Sequence, residues 1–271
     1  MPPVAIVQAR MGSTRLPGKI LLSLCGRPML WHIVTRLQTV RGLRAVVVAT
    51  TTELRDDSIR ALCADAGFPC FSGSEPDVLD RFYQAALSHD ADPVVRVTAD
   101  CPLVDPGVVS RVLETYGSGQ FDHVGVATGA GAAFDEGGRF PDGLDAECLS
   151  FAALARAWRE ATAPTDREHV TPFLWRVPGR FRLGVVRPDA DYSMLRWTVD
   201  TAADFDVVKR IYAALYEEGR VFGMADVLAH LERHPELTSL NQSAIGQEGY
   251  HELWRADGRR GVDGTTREGE R

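Results

Sequence analysis

Short apolar runs alternate along this chain with segments of helical periodicity. Apolar runs at residues 4–7, 45–49 and 94–98 predict strands that are buried on both faces of a parallel sheet. Between the first two runs, apolar residues recur every third or fourth position over 29–37, which predicts an amphipathic helix. This alternation predicts an α/β fold built from βαβ units with a mostly parallel central sheet.

The same patterns continue through most of the sequence. They predict further strands near 69–71, 123–127, 181–186 and 195–199, and further helices near 57–66, 78–87, 108–116, 151–161, 169–175, 203–217 and 224–234. A glycine-rich stretch over 129–143 has neither period, and a loop of that length inside a compact domain is usually functional or mobile. After residue 256 the chain is rich in Gly, Arg and Glu, which predicts a disordered tail.

Composition and charge narrow the class of protein. The chain has 271 residues, of which 45% are hydrophobic, and a formal net charge of −7, so a duplex nucleic acid is not the expected partner. No apolar segment reaches the 18 residues of a membrane span, and the five cysteines show no CxxC spacing, so neither a disulfide framework nor a zinc site is indicated. We expect a cytoplasmic protein that binds neither nucleic acid nor membrane.

The first strand leads into a loop with an unusual concentration of anion-binding groups. Its sequence over residues 8–19 is QARMGSTRLPGK, in which two glycines allow close approach of the backbone and three cations and two hydroxyls can contact phosphate. The loop has neither Walker nor GxGxxG spacing. Its position at the carboxyl end of a strand nevertheless favours ligand binding, and we interpret it as a nucleoside triphosphate site. A polar turn whose charges face water is the alternative.

Two aspartates follow predicted strands directly. Asp100 comes after 94–98 and Asp200 after 195–199, so neighbouring strands would bring both carboxylates to the edge that carries the cationic loop. Mg²⁺ is commonly held by one or two carboxylates together with substrate phosphates. The pair therefore predicts a magnesium site, although aspartate is also a favoured helix N-cap and each could serve only as a cap.

The sequence resembles a known family, the sugar-activating cytidylyltransferases of the spore coat polysaccharide biosynthesis type. This family is related to the acylneuraminate and 3-deoxy-manno-octulosonate cytidylyltransferases. The resemblance lies in the loop at 8–19 and in GSEPDVLDR at 73–81, RVTADCPL at 96–103, PDGLD at 141–145, DREHVTP at 166–172 and RWTVD at 196–200. It extends to 235–237 and Asn241 and so covers nearly everything before the tail.

The resemblance implies a Rossmann-like fold of the GT-A type, with CTP and Mg²⁺ as reactants and a CMP-sugar and pyrophosphate as products. It also implies a homodimer built through the region after Gly129. We divide the chain into a nucleotidyltransferase domain at 1–234, a C-terminal extension at 235–255 and the tail at 256–271.

Roles for individual residues follow from the loop, the carboxylates and the resemblance together. We expect Arg15, Lys19, Asp100 and Asp200 to be catalytic, the last two as metal ligands. The nucleotide is expected to contact Ala9, Arg10, Met11, Gly12, Ser13, Arg15, Lys19, Ser74, Asp80 and Arg81. The acceptor is expected to contact Arg139, Asp142, Asp145, Arg167, Glu168, His169 and Arg196.

Two of these assignments have structural alternatives. Asp80 and Arg81 could instead form a structural pair at a helix start, and Glu168 and His169 could lie on an exposed helix start.

Three functions remain open from sequence. The first is transfer of CMP from CTP to a sugar, sugar acid or related acceptor. The second is a cytidylyl- or guanylyltransferase acting on a phosphonate or sugar phosphate, which would use the same loop and carboxylates. The third class contains a GT-A glycosyltransferase and a non-catalytic nucleotide-binding protein. The sequence does not identify the acceptor.

Overall fold

The computed structural model describes residues 2–128, 137–176 and 179–244. The strands are β1 Val4–Gln8, β2 Ser23–Leu24, β3 Arg27–Pro28, β4 Ala45–Thr51, β5 Cys70–Gly73, β6 Val94–Thr98, β7 His123–Val126, β8 Glu147–Leu149 and β9 Leu183–Val186. The helices are α1 Met29–Gln38, α2 Asp57–Ala66, α3 Val78–Ser88, α4 Pro106–Gly117, α5 Phe151–Glu160, α6 Pro164–His169, α7 Pro172–Trp175, α8 Ala202–Leu215, α9 Met224–Arg233 and α10 Glu236–Ser239.

A mixed sheet forms the centre of the molecule, with the strand order β5-β4-β1-β6-β8-β7-β9. Strands β5, β4, β1 and β6 are parallel neighbours, and β7 is parallel to β9. Strand β8 is antiparallel to both β6 and β7. The predicted mostly parallel sheet is therefore confirmed, with one short antiparallel strand that the periodicity did not reveal.

Apolar side chains cover both faces of this sheet. One cluster packs α1, α2, α4, α8 and α9 against residues such as Val7 and Val97. The other packs α3, α5 and α7 against residues such as Ile6 and Val94. Burial on both faces explains why the central strands read as continuous apolar runs rather than as alternating ones.

Two predicted elements differ from the structure. The single helix predicted over 169–175 is wrong, because Val170 has a φ of 71° and Pro172 begins a new short helix, α7. The strand predicted over 195–199 is also wrong, since this segment makes only an isolated bridge between Arg196 and Asp142. It nevertheless runs close to β6, because Val199 N donates to Asp100 O at 2.8 Å.

The end of the described chain packs against the main domain. After α10, the Asn241 side chain is buried and donates from Nδ2 to Arg196 O at 3.0 Å and to Asp204 Oδ1 at 2.9 Å. Part of the predicted glycine-rich loop, 129–136, and the predicted tail at 256–271 lie outside the described residues. Among the residues that the structure describes, no helix combines the length and apolar character that a membrane crossing requires.

Candidate active site

A cleft of about 1500 Å³ opens over the carboxyl ends of β1 and β6. The cationic loop after β1 lines it, together with residues of α6 and with Trp175 of α7. Ligands of open α/β sheets bind at this edge, outside the carboxyl ends of the strands. The cleft is therefore the position in which a substrate site is expected.

The cationic loop is shaped by its own backbone and by one buried carboxylate. Gly18 has a φ of 71° and closes a turn in which its N–H donates to Met11 O at 3.2 Å. Asp56 is fully buried and accepts from Met11 N at 2.8 Å. Since glycine adopts this left-handed conformation without steric cost, the turn can direct Lys19 back into the cleft.

Lys19 joins the two aspartates that the sequence singled out. Its ammonium Nζ lies 2.8 Å from Asp200 Oδ1 and 3.3 Å from Asp100 Oδ2, and it also donates to Val199 O at 2.7 Å. Arg15 Nη2 lies 2.9 Å from Asp200 Oδ2. The structure thus brings the cationic loop and both carboxylates together. The residues that meet there are Arg15, Lys19, Asp100 and Asp200.

Neither aspartate serves as a helix cap. The N-cap of α4 is Asp105, whose side chain accepts from Val108 N, and the N-cap of α8 is Thr201, which forms a capping box with Asp204. Asp100 accepts from the Thr98 hydroxyl instead. The capping alternative is therefore wrong for both Asp100 and Asp200.

The charges at this point stabilise one another. Burial alone would raise the pKa of Asp100, but the Lys19 ammonium and the Thr98 hydroxyl outweigh it and lower that pKa to about 2. Burial alone would lower the pKa of Lys19, yet Asp100 and Asp200 raise it above its ordinary value. Both side chains are consequently charged near neutral pH.

The Arg196 side chain fixes Asp200 and two further carboxylates through hydrogen bonds. Its side chain is 1% exposed, and it bonds Asp142 Oδ2 at 2.6 Å, Asp200 Oδ2 at 2.9 Å and Asp204 Oδ1 at 3.0 Å. Arg196 lines the cleft, but each of its guanidinium nitrogens already bonds a carboxylate, so its expected contact with the acceptor stays a prediction. Its geometry is that of a residue that positions Asp200.

The donor set at this point fits a divalent cation. Two carboxylate oxygens already share one positive charge, the Lys19 ammonium, at hydrogen-bond distance. Carboxylates that converge in this way and face a cleft are typical Mg²⁺ ligands. Asp100 and Asp200 are thus suited to hold a metal together with substrate oxygens.

The main chain of the loop offers fewer donors than the sequence suggests. Met11 N donates to Asp56, Ser13 N donates to Met11 O at 2.9 Å, and Ala9 N donates to Ala49 O at 3.1 Å. Within the described chain, the N–H of Gly12 has no such partner. The expected backbone contacts of Ala9, Met11 and Ser13 to a nucleotide are therefore not available through their N–H groups.

Five expected nucleotide contacts lie outside the cleft lining, namely Ala9 and Met11 of the loop and Ser74, Asp80 and Arg81 near α3. The Ser74 hydroxyl accepts from Asp77 N at the start of α3. Asp80 accepts from Trp158 Nε1 at 2.8 Å, and Arg81 is fully buried and donates to Ser74 O. These side chains fix the start of α3, and it is the neighbouring Pro76 and Asp77 that line the cleft.

Most of the expected acceptor residues do line the cleft. Asp142, Asp145, Arg167, Glu168, His169 and Arg196 are among its walls. Glu168 accepts from Arg10 Nη2 at 3.0 Å and lies near the end of α6, so it is not at a helix start. Arg139 is different, because it lies outside the lining and donates from Nη1 to Thr128 O at 2.9 Å.

Burial shifts the pKa of two groups on this side. Burial raises the pKa of Asp145, although Thr128 and the Gly143 N–H both donate to it. Burial and the nearby Arg96 lower the pKa of His169 to about 4. His169 is therefore a neutral imidazole at neutral pH, able to donate or accept a hydrogen bond.

A cluster on the sheet was not assigned a function from sequence. Arg96 Nη1 donates to Glu147 Oε2 at 2.6 Å, and His123 Nε2 lies 3.0 Å from Glu147 Oε1. All three line the cleft, together with Gln8. The sequence signal that could have selected this cluster is Arg96, a charged residue inside a predicted buried strand. Its pairing with Glu147 depends on β8, which the sequence pattern did not reveal.

Comparisons with known proteins agree with this geometry. A sequence profile of the family described as cytidylyltransferase matches residues 4–231. The chain is similar to an uncharacterised protein of Methanocaldococcus jannaschii, with 32% identity covering 92% of this chain and 98% of that protein. It is also similar to the spore coat polysaccharide biosynthesis protein SpsF of Bacillus subtilis, with 29% identity covering 85% and 94% of the two chains.

A solved structure has the same architecture. A cytidylyltransferase from Leptospira borgpetersenii superimposes with a TM-score of 0.80 and 28% identity, covering 88% of this chain and 97% of that one. These matches confirm the Rossmann-like nucleotidyltransferase fold, and the family profile extends over nearly the whole described chain. The protein is therefore a nucleotidyltransferase of the cytidylyltransferase family.

Proposed function

We propose that this enzyme transfers CMP from CTP to a hydroxyl group of a sugar, sugar acid or related acceptor and releases pyrophosphate, with Mg²⁺ held by Asp100 and Asp200. The observation that carries the proposal is the shared cation position between these carboxylates, where Lys19 Nζ lies 2.8 and 3.3 Å from them. The resemblance to a polysaccharide biosynthesis protein supports a saccharide acceptor.

The residues around the cleft divide the work of such a transfer. An acceptor oxygen forms a bond to the α-phosphorus of CTP while the bond to the bridging oxygen of pyrophosphate breaks. Negative charge then accumulates on the departing pyrophosphate, and Arg15, Lys19 and the free Gly12 N–H are placed to stabilise it. When bound, Mg²⁺ would supply further positive charge at the phosphate. The proton of the acceptor hydroxyl passes to solvent or to a carboxylate of the cleft.

Pyrophosphate release is the direct test. The purified protein is incubated with Mg²⁺, each of the common nucleoside triphosphates and a panel of sugar acids, neutral sugars, sugar phosphates and phosphonates. We expect pyrophosphate and a CMP-linked product with CTP, and loss of both when EDTA removes the metal. Release with GTP in preference to CTP would contradict the nucleotide assignment and favour the guanylyltransferase alternative.

Two further outcomes separate the remaining alternatives. A glycosyltransferase consumes a finished nucleotide sugar, so it would release no pyrophosphate from CTP. A non-catalytic protein would bind CTP tightly and give no turnover with any acceptor of the panel. Membership of the cytidylyltransferase family favours the proposed transfer over both.

A further inference from the structure

The cleft floor is formed by one face of the central sheet, and this face changes character near the carboxyl ends of its strands. Gln8 pairs in register with Thr98, and Arg96 pairs with Glu147. Because alternate residues of a strand share a face, these four side chains lie on the same face as the buried Ile6, which pairs with Arg96. Four polar side chains thus continue an otherwise apolar face into the cleft.

Two of these side chains have hydrogen-bonding groups without partners. The Gln8 amide makes no hydrogen bond with any residue that the structure describes, and its Oε1 is buried. Arg96 donates from Nη1 to Glu147, but its Nε is buried without a partner. Leaving such a group buried and unbonded destabilises the folded protein. Native proteins contain few of them, and each calls for an explanation.

The surroundings decide which ligand chemistry fits. Glu147 accepts from Arg96, His123 and Thr171, and although burial opposes its ionisation, Arg96 and His123 lower its pKa to about 2. The charge of Arg96 is therefore balanced within the protein. The neighbouring His169 is neutral because its pKa is about 4. In this part of the cleft, the ion pair of Arg96 and Glu147 is neutral as a whole. It leaves the Arg96 Nε as a donor for a ligand, and the Gln8 amide adds an acceptor.

A ligand hydroxyl group can bond Gln8 and Arg96 at the same time, since it donates one hydrogen bond and accepts others. A carboxylate or phosphate only accepts, and it would add a charge beside Glu147. The Thr98 side chain, opposite Gln8 in register, donates to Asp100. A ligand over Gln8 and Arg96 consequently lies next to the proposed metal ligand. Gly125, which pairs with Glu147 on β8, has no side chain to fill the adjoining floor.

We propose that Gln8 and Arg96 form a hydroxyl-binding subsite for the acceptor, so that the part of the acceptor over the sheet is a neutral polyhydroxyl sugar ring rather than a carboxylate or phosphate. This inference rests on the proposed function, because it assigns the acceptor side of the same cleft. The subsite makes Gln8 and Arg96 determinants of acceptor specificity. The nucleotide side is formed by the rest of the cationic loop, from Arg10 to Lys19, which lines the same cleft.

The first test measures stability and needs no acceptor. Gln8→Leu removes an amide that has no bonds within the described protein, so we expect a melting temperature equal to or above that of the unchanged protein. Gln84→Leu is the matched control, since Gln84 is half-buried outside the cleft and donates to Asp80 at 3.2 Å. A larger loss of melting temperature for Gln8→Leu than for Gln84→Leu would show a structural role and overturn the proposal.

The second test measures kinetics with the acceptor that gives the fastest pyrophosphate release in the panel. Gln8→Leu and Arg96→Lys should each raise KM for this acceptor about ten-fold or more, which corresponds to one lost hydrogen bond, while KM for CTP and the values for Gln84→Leu stay unchanged. An unchanged acceptor KM, or a rise in KM for CTP, would overturn the subsite. If no acceptor gives pyrophosphate, the proposed transfer has failed, and the stability test still decides whether Gln8 is structural.

Discussion

At the scale of single residues, the contacts of Lys19 connect parts of the sequence that are far apart. Its ammonium reaches carboxylates 81 and 181 positions further along the chain. The Lys19 ammonium stabilises the folded state because it lies between two carboxylates. It also faces the cleft in which phosphates are proposed to bind. Removing it therefore affects both stability and chemistry.

We expect Lys19→Met to reduce turnover at saturating CTP by about 10²–10³-fold, the usual effect of losing one preorganised donor at a developing charge. Steady-state pyrophosphate release measures this, and a melting curve checks that the variant is folded. Lys209→Met is the matched control, because Lys209 is exposed on α8 and should leave turnover unchanged. Normal turnover for Lys19→Met would remove Lys19 from the proposed machinery.

His169 gives a prediction about pH. Its folded-state pKa of about 4 lies below its ordinary value of 6.5, so the folded protein favours the neutral ring. The corresponding stability is complete above pH 6.5 and is lost as the pH falls towards 4, by roughly 3 kcal/mol over the whole range. Glu147 and Asp100, with pKa values of about 2, lose their contributions only below about pH 4.5.

Urea unfolding between pH 7 and pH 5 therefore separates His169 from the acids. We expect the free energy of unfolding to fall more steeply with decreasing pH in the unchanged protein than in His169→Gln. Gln84→Leu, whose side chain does not titrate and lies outside the cleft, serves as the control and should keep the original slope. Identical slopes for all three proteins would show that His169 titrates normally.

How much of the site could be predicted from sequence differs between its two sides. Lys19, Asp100 and Asp200 follow strands or a glycine turn, so local pattern was sufficient to select them. Arg96 and Glu147 could not be paired in this way, because their contact requires β8 to lie beside β6, a long-range arrangement without a local signal. Arg196 was selected from sequence for its charge, but its bonds to Asp142, Asp200 and Asp204 depend on the folded arrangement and had no local signal.

At the scale of secondary structure, elements with a clear apolar pattern were predictable, and several short elements around the cleft were not. Strands β1, β4 and β6 and helices α1 to α4 carry strong periodicity or continuous apolar runs. Strand β8 contains only three residues, and helices α6 and α7 are divided by Val170 and Pro172, which a helical pattern does not reveal. Tertiary contacts therefore define the elements that surround the acceptor side of the cleft.

Helix ends also connect elements to one another. The Asp105 carboxylate caps α4 by accepting from Val108 N at 3.0 Å and accepts from Met224 N at the start of α9. The Ser150 hydroxyl caps α5 by accepting from Ala153 N at 3.0 Å, and its other contact is with the half-buried Tyr116 side chain. Asp105 thus satisfies backbone N–H groups of two helices, whereas Ser150 satisfies the N–H of one.

Asp105→Ala should therefore lower the free energy of unfolding by about 2 kcal/mol or more, against about 1 kcal/mol for Ser150→Ala, since a lost cap typically costs about 1 kcal/mol. Urea unfolding at pH 7 compares the two variants directly. Equal losses would mean that the bond to α9 contributes nothing to stability.

At the scale of the whole molecule, the predicted homodimer awaits measurement. The resemblance places its interface in the region after Gly129, and Met194, with 64% of its surface exposed, lies beside that region because Tyr192 N donates to Arg139 O at 2.8 Å. An exposed methionine of this kind is typical of interaction surfaces.

Light scattering should give twice the mass of one chain for the unchanged protein and for Leu54→Glu, and the mass of one chain for Met194→Glu. Leu54 is the matched control because it is 83% exposed on the short turn before α2. A single-chain mass for the unchanged protein would make the predicted dimer wrong.

The spacing of the charged residues that meet at Lys19 also matters while the protein is being made. A nascent polypeptide leaving the ribosome displays its cationic turn long before translation reaches Asp200, and the amide of Asn241 that braces Arg196 emerges later still. Products that end before Asn241 consequently lack the full acid pair or its support. Only a polypeptide that extends to Asn241 can therefore complete the proposed site.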